Sequence, residues 1–350
     1  MIPYVEILNK NLKKFALIEP QECWFELSFF EIGEFEIYCR ASNANLNALK
    51  KGNFVMIPNK RFIWYITSIQ YTFTAGGVRM ISAKGYEAKW LLYKRIIQAP
   101  LVLMGTITTA IYKLVNDNLG NTATIARQIE SFSVDANELL IDISETQAPR
   151  GNLGEFVTNL LKTYNCGSQI NYVNGGLKFT IINGSVKTQR IMFSQSYDNL
   201  LSSTYNTNDD NVSTYALVVS TVNEVDYTLT HDMGAVGIDR NEILINSNLS
   251  TKYEDADGVE KETTPDSDLY KRWQNEEAKN ELTNHKTIEE VSGDLDLAHS
   301  KYEFDKDFYL GDLVKVTDEY FKYSYNTRIL KYTFKQDANG YGEEAEFGGD

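Results

Sequence analysis

Two stretches far apart in the chain read as the same strand pair. Gly52-Asn53-Phe54-Val55-Met56-Ile57 stands against Gly311-Asp312-Leu313-Val314-Lys315-Val316, and Tyr71-Thr72-Phe73 stands against Tyr332-Thr333-Phe334. The gap between the two parts differs by only two residues. A chain that builds one strand pair twice, with most of its length between the copies, fits a barrel duplicated and separated by insertions. The alternative is that both segments share no more than the Gly opening common where a strand follows a tight turn.

Length and composition bound the rest. With 350 residues there is room for about two to four domains. The aromatic residues are mostly 22 Tyr and 17 Phe, which with frequent Val, Ile and Thr favour strands with half-buried faces. The formal charge of −14 repels phosphate backbones and argues against nucleic-acid binding as the main purpose, without forbidding DNA from passing. Cys23, Cys39 and Cys166 are scattered, which suggests neither a disulfide framework nor zinc and fits synthesis in a reducing compartment. The start lacks the order of a signal peptide, and no run reaches the roughly 18 apolar residues that span a bilayer, so no membrane insertion is expected.

Residues 1–40 alternate apolar and polar positions, as in Trp24–Phe29 and Phe35–Tyr38, and read as antiparallel strands. Ser42–Leu49 reads as a capped helical turn; strands follow at Phe54–Ile57, Phe62–Phe73 and Val78–Ala83. From Gly85 to Ile97, the spacing of Tyr86, Trp90, Tyr93 and Ile97 predicts an amphipathic helix, with Lys89, Lys94 and Arg95 off its apolar stripe. Helices are predicted from Ile107 to Leu119 and from Leu153 to about Tyr164, then a hairpin turning at Asn174-Gly175-Gly176. Strands resume at Arg190–Phe193, Tyr215–Ser220 and Asp226–Thr230, with Asn206–Asn211 read as a polar loop. A charged insertion contains a helix capped by Ser267 or Asp268.

Chemistry has no recognisable candidate. The histidines at 231, 285 and 299 stand alone, and no metalloprotease, hydrolase, dinucleotide or P-loop motif occurs. Pairs such as Asp142 and Glu145 are expected by chance among 48 acidic residues. Asp255-Ala256-Asp257-Gly258 opens like a calcium loop but lacks the later ligands, so a solvated turn is the better reading. The expectation is a non-enzymatic protein with no cofactor and no metal.

The residues Gly85, Leu91, Leu92, Arg95, Ile96 and Ile97, following a barrel-like unit, resemble the motif that closes the first domain in the siphovirus tail-hub (tail-associated) family, which is itself similar to the myovirus baseplate hub. Phe193–Leu200, then Leu310–Val314 with Arg328-Ile329, extend the resemblance over nearly the whole chain. It implies a β-rich α+β fold: two tail-tube-like β-barrels with inserted smaller α/β domains. The first barrel and its closing helix would take residues 1–100, an inserted α/β domain 101–190, the second barrel 191–240 with 294–350, and a helical and loop insertion 241–293.

The resemblance also implies function. The interface motif would be Gly85, Trp90, Leu91, Leu92, Arg95, Ile96 and Ile97; the repeat strands would carry Gly52, Val55, Tyr71 and Phe73, then Gly311, Asp312, Val314, Tyr332 and Phe334. The subunit would form a homotrimer at a tail tip or baseplate, joining a six-fold tail tube or distal tail protein above to a spike, fibre or tape-measure protein below or inside. DNA would pass through the channel without specific binding. The expected location is the virion, after synthesis in the host cytoplasm, and any wall-degrading activity is expected in another chain. Two other classes stay open: a carbohydrate-binding receptor module, suited to Tyr and Trp, and a cell-wall hydrolase.

Overall fold

The computed structural model describes residues 2–73, 76–296, 300–320 and 322–348. Strands dominate, as the composition leads one to expect: 25 strands accompany five α-helices among these residues. Thirteen of the strands pair into one sheet. In chain order they are β1 Val5–Leu8, β2 Lys14–Ile18, β3 Glu22–Ser28, β4 Glu34–Arg40, β5 Phe54–Met56, β6 Ile63–Phe73, β7 Arg79–Glu87, β8 Met192–Ser194, β9 Thr204–Asn208, β10 Ile288–Leu295, β11 Leu313–Asp318, β12 Tyr323–Asp337 and β13 Gly340–Gly348. Period-two patterning builds them: Cys23, Phe25 and Leu27 of β3, and Phe35, Ile37 and Cys39 of β4, are buried on one face.

The sheet repeats itself. Its path runs β9-β10-β13-β12-β3-β4-β7-β6-β5-β1-β2, with β11 on β12 and β8 on β11. Strands β3 to β7 therefore lie in the order 3-4-7-6-5, and β9 to β13 in the order 9-10-13-12-11. The hydrogen bonds match in detail. Gly52 N–H donates to Ile66 O at 2.9 Å and Ile66 N–H to Asn53 O at 2.9 Å; Gly311 N–H donates to Ile329 O at 2.9 Å and Ile329 N–H to Asp312 O at 3.0 Å. Both glycines sit in the left-handed region, at φ of 92° and 86°, where a side chain is strained. A β-bulge then follows each isoleucine, skipping Thr67 in β6 and Leu330 in β12.

This register corrects the alignment read from sequence. Ile66 answers Ile329, so Tyr71 answers Phe334 rather than Tyr332. The second hairpin is longer, pairing Leu313–Asp318 along six residues where the first pairs only Phe54–Met56. Strand pairing leaves the path open from β9 to β2 among the described residues, so it does not itself close the two expected barrels. The halves instead meet directly, β12 pairing with β3.

One core lies beneath the whole sheet. Phe25, Phe35 and Trp64 of the first half and Phe193, Phe308, Tyr332, Phe334 and Phe347 of the second are fully buried in a single cluster. Phe62 bridges the halves, its ring 6.3 Å from Phe334 and 5.9 Å from Phe304. Each such side chain contributes about 1.5–3 kcal/mol by leaving water.

The helices are α1 Asn43–Ala48, α2 Trp90–Tyr93, α3 Ile107–Leu119, α4 Leu153–Thr163 and α5 Asp268–Asn284. Thr106, Asn152 and Ser267 accept from backbone N–H groups at the starts of α3, α4 and α5, as their cap chemistry predicts. Helices α3 and α4 and the hairpin Gly167–Val173 with Gly176–Ile182 share a second core with Leu91 and Leu92. The strands Tyr215–Val222 and Val225–Asp232, read from sequence as part of the second barrel, pair instead with Glu242–Asn246 in a separate sheet. That sheet packs on α5 through Ala216, Val218, Ala278 and Leu282. The two insertions touch: Glu254 pairs with Leu101, and Gln147 exchanges hydrogen bonds of 2.9 and 2.7 Å with Ser250.

Candidate functional site

The groups with chemical potential are mostly occupied in structural roles. Burial pushes the Cys23 thiol up to about 12, and those of Cys39 and Cys166 up to about 11, so they stay protonated and packed. His231 Nδ1 lies 3.0 Å from Asn275 Oδ1, and His285 Nδ1 lies 2.8 Å from Glu281 O; His299 falls outside the described residues. Glu145 of the acidic pair binds Arg272 at 3.2 Å. Asp255 Oδ1 accepts from the backbone N–H groups of Val259 and Asp257, at 2.9 and 3.0 Å, which caps the turn that resembled a calcium loop. No group of three or more His, Cys, Asp or Glu stands ready to hold a metal among the described residues. In the same residues no helix is long and apolar enough to cross a membrane.

The Gly85–Ile97 motif is a joint, not a helix. Gly85 and Tyr86 remain in β7, the helix is only α2, and Ile96–Ile97 pairs with Gly151–Asn152. Tyr86 is held by partners on both sides, Glu34 and Tyr65, and this overrides its helical spacing. A side chain at Gly85 would place its Cβ 2.0 Å from Tyr65 O and 2.8 Å from the Phe35 ring. Trp90 stacks between Tyr65 and Tyr86 at centroid distances of 5.6 and 5.7 Å. Lys94 lies 4.8 Å above the Tyr65 ring. Leu91, Leu92 and Ile97 are buried, Arg95 is half-buried and Ile96 is exposed; Arg95 Nη2 donates to Arg127 O at 3.1 Å.

Lys89 reverses its sequence reading. It is buried, donating to Ser28 O at 2.5 Å, with Glu87 Oε2 3.4 Å away. Glu87 Oε2 also accepts from Gly33 and Ser28 N–H at 2.7 and 3.1 Å. Burial raises the Glu87 carboxyl and lowers the Lys89 ammonium, and the partner opposes each shift. The pair ties the end of β3 to the joint. Nothing in the Glu-Ala-Lys triplet distinguishes it from a solvated pair, so the sequence offers no signal for it.

At the second repeat, Val314 is buried like Val55. The buried Asp312 accepts from Ser185 N–H at 2.7 Å and Tyr309 N–H at 2.9 Å, and pairs with Lys187 at 2.8 Å. Arg328 donates to Gly311 O at 2.7 Å and covers the Phe29 ring. Tyr332 and Phe334 are in the core, while Tyr71 and Phe73 are 60% and 70% exposed. The polar stretch at Asn206 is strand β9 rather than loop; Tyr205 is its single large apolar residue, too weak a pattern to detect. On the sheet face away from the core, Lys84, Lys331 and Lys335 each meet a carboxylate: Glu36 at 3.0 Å, Glu346 at 3.0 Å and Asp294 at 2.7 Å. Glu22, Glu26 and Glu344 add further negative charge to that face.

A profile of the Siphovirus ReqiPepy6 Gp37-like protein family matches residues 4–349. The chain belongs to that family. Two solved structures share the fold of this family member. A tail protein from Neisseria meningitidis MC58 aligns with a TM-score of 0.58 at 13% identity, covering 99% of this chain and 96% of the other. The prophage MuSo2 43 kDa tail protein from Shewanella oneidensis aligns with a TM-score of 0.56 at 13% identity, covering 98% of each. No curated protein matches the chain. The family and the fold together are those of a phage tail protein, in line with the resemblance read from sequence.

Proposed function

We propose that this tail protein is a structural hub subunit of a tail tip or baseplate. It assembles as a homotrimer, linking a six-fold tail tube or distal tail protein to a three-fold spike or fibre. The observation that carries this reading is the repeated strand order within one chain, since three chains with two equivalent halves offer six near-equivalent units to a six-fold partner. In the assembly each half takes the role of one tube-like barrel, and the Gly85–Ile97 joint fixes the first insertion against it.

The acidic sheet face, with its lysines neutralised, suits a channel wall that lets DNA pass without holding it. The carbohydrate-binding alternative calls for aromatics exposed in a groove, and the large aromatic cluster instead fills the core.

The test is the mass of the purified protein in solution, with a low-resolution image. A ring of three with a central hole supports the hub. A compact monomer with affinity for sugars favours the receptor module, and clearing on peptidoglycan zymography overturns the structural reading.

A further inference from the structure

We propose that the free edge of β6, Ser68–Phe73, receives β9 of a second copy of this chain, antiparallel, in the register that joins β12 to β3 within one copy. This deepens the hub reading and rests on it only for the number of copies.

The register follows from the internal repeat. Within the chain, Lys331–Gln336 of β12 lies against Ser28–Cys23 of β3, with Lys331 opposite Ser28 and Phe334 opposite Phe25. The bulge equivalence carries Lys331–Gln336 onto Ser68–Phe73. Strand β3 carries over as well. Phe25 pairs with Phe35, which pairs with Gly85; Tyr205 pairs with Val291, which pairs with Phe347, and Phe347 is the counterpart of Gly85. Tyr205 is therefore the counterpart of Phe25. Across two copies, Tyr71 falls opposite Tyr205, Gln70 opposite Asn206, and Ser68 opposite Asn208.

Both strands are open for this pairing. Ser68–Phe73 pairs with β7 on one side and β9 pairs with β10 on one side; neither has a second strand neighbour among the described residues. Exposed strand edges are ordinarily protected by charge or proline. Ser68-Ile69-Gln70-Tyr71-Thr72-Phe73 and Ser203-Thr204-Tyr205-Asn206-Thr207-Asn208 carry neither, whereas β2 at the far end of the sheet begins at Lys14.

The side chains agree. Phe334 and Phe25 at the internal junction are fully buried, and their counterparts Tyr71 and Tyr205 are aromatic yet 60% and 40% exposed. Tyr205 already rests on Tyr323 at 5.8 Å. Tyr71 of the next copy would extend that stack. The contact is head-to-tail, so it excludes a two-fold dimer and builds a ring where the rotation between copies closes, as the three-fold hub reading requires.

The experiment pairs Gln70→Cys with Asn206→Cys in one chain, under mild oxidation. The native cysteines are buried and do not compete. A second variant, Tyr71→Lys with Tyr205→Lys, sets two ammonium groups against each other across the pairing, at positions exposed within a single copy. The expected results are intermolecular disulfides joining most chains, and loss of the multimer in the lysine variant with an unchanged circular dichroism spectrum. A multimer whose mass survives the lysine pair, with no disulfide between copies, overturns this pairing and leaves the hub reading standing. A chain that stays monomeric at the highest concentration reached, without cross-links, overturns both.

Discussion

Replacing Lys89 by Met tests how strongly the joint is tied to the first half. Methionine keeps the length and the apolar stem, so little cavity forms. What is lost is the ammonium 2.5 Å from Ser28 O and 3.4 Å from Glu87 Oε2. An unpartnered buried carbonyl costs about 1–3 kcal/mol. The Glu87 carboxylate, left with only the Gly33 and Ser28 N–H groups, brings the total to about 3–5 kcal/mol, typical of a buried pair broken from one side. Adding Glu87→Gln removes the stranded charge and should recover about 2 kcal/mol, a coupling readable from the double-mutant cycle. The pH dependence has a definite sign. A buried carboxylate with a raised folded pKa destabilises as pH climbs above its unfolded value, and removing Lys89 raises it further. The Lys89→Met penalty should therefore be larger at pH 8 than at pH 5. Urea unfolding followed by circular dichroism measures all four proteins. A Lys89→Met loss below about 1 kcal/mol, equal at both pH values, would refute the claim that this pair is buried and coupled.

Two further outcomes follow from the geometry. Gly85→Ala should cost about 2–3 kcal/mol or more, because its Cβ meets the Tyr65 backbone oxygen at 2.0 Å and a backbone does not yield as a flexible side chain does; a thermal melt within a degree of the wild type would contradict this. On α5, burial pushes Glu277 up to about 7 from an ordinary 4.5, so its folded state holds a proton that the unfolded chain releases between those values. Stability should fall as pH rises from 4.5 through 7, by at most about 3 kcal/mol, and Glu277→Gln should flatten that slope in pH-dependent unfolding.

Local signals in the sequence were sufficient wherever one short stretch decides the outcome. The apolar faces of α3 and α4 and the cap at Ser267 announce the three longer helices, and Asn174-Gly175 turns the hairpin as expected. The Gly85–Ile97 helix failed because Tyr86 is paired on both flanks by strands distant in sequence, which no spacing rule registers. Strand β9 was hidden for the opposite reason: its main-chain pairing needs few apolar side chains, so its second half, Asn206–Asn208, reads as part of the polar loop Asn206–Asn211.

The sequence alone determined that the chain is β-rich, that one glycine-led strand pair occurs twice, and that the whole resembles a siphovirus tail family. Periodicity and turn chemistry are written locally, and a repeat needs only comparison with itself. Tertiary structure decided the rest: the two-residue correction that sets Tyr71 against Phe334, the burial of Lys89, the joining of both halves through β12 and β3, and the two uncharged edges left open. Each of these depends on which backbone groups meet across hundreds of residues, and hydrogen-bond register between distant strands leaves no trace in the spacing of either strand alone.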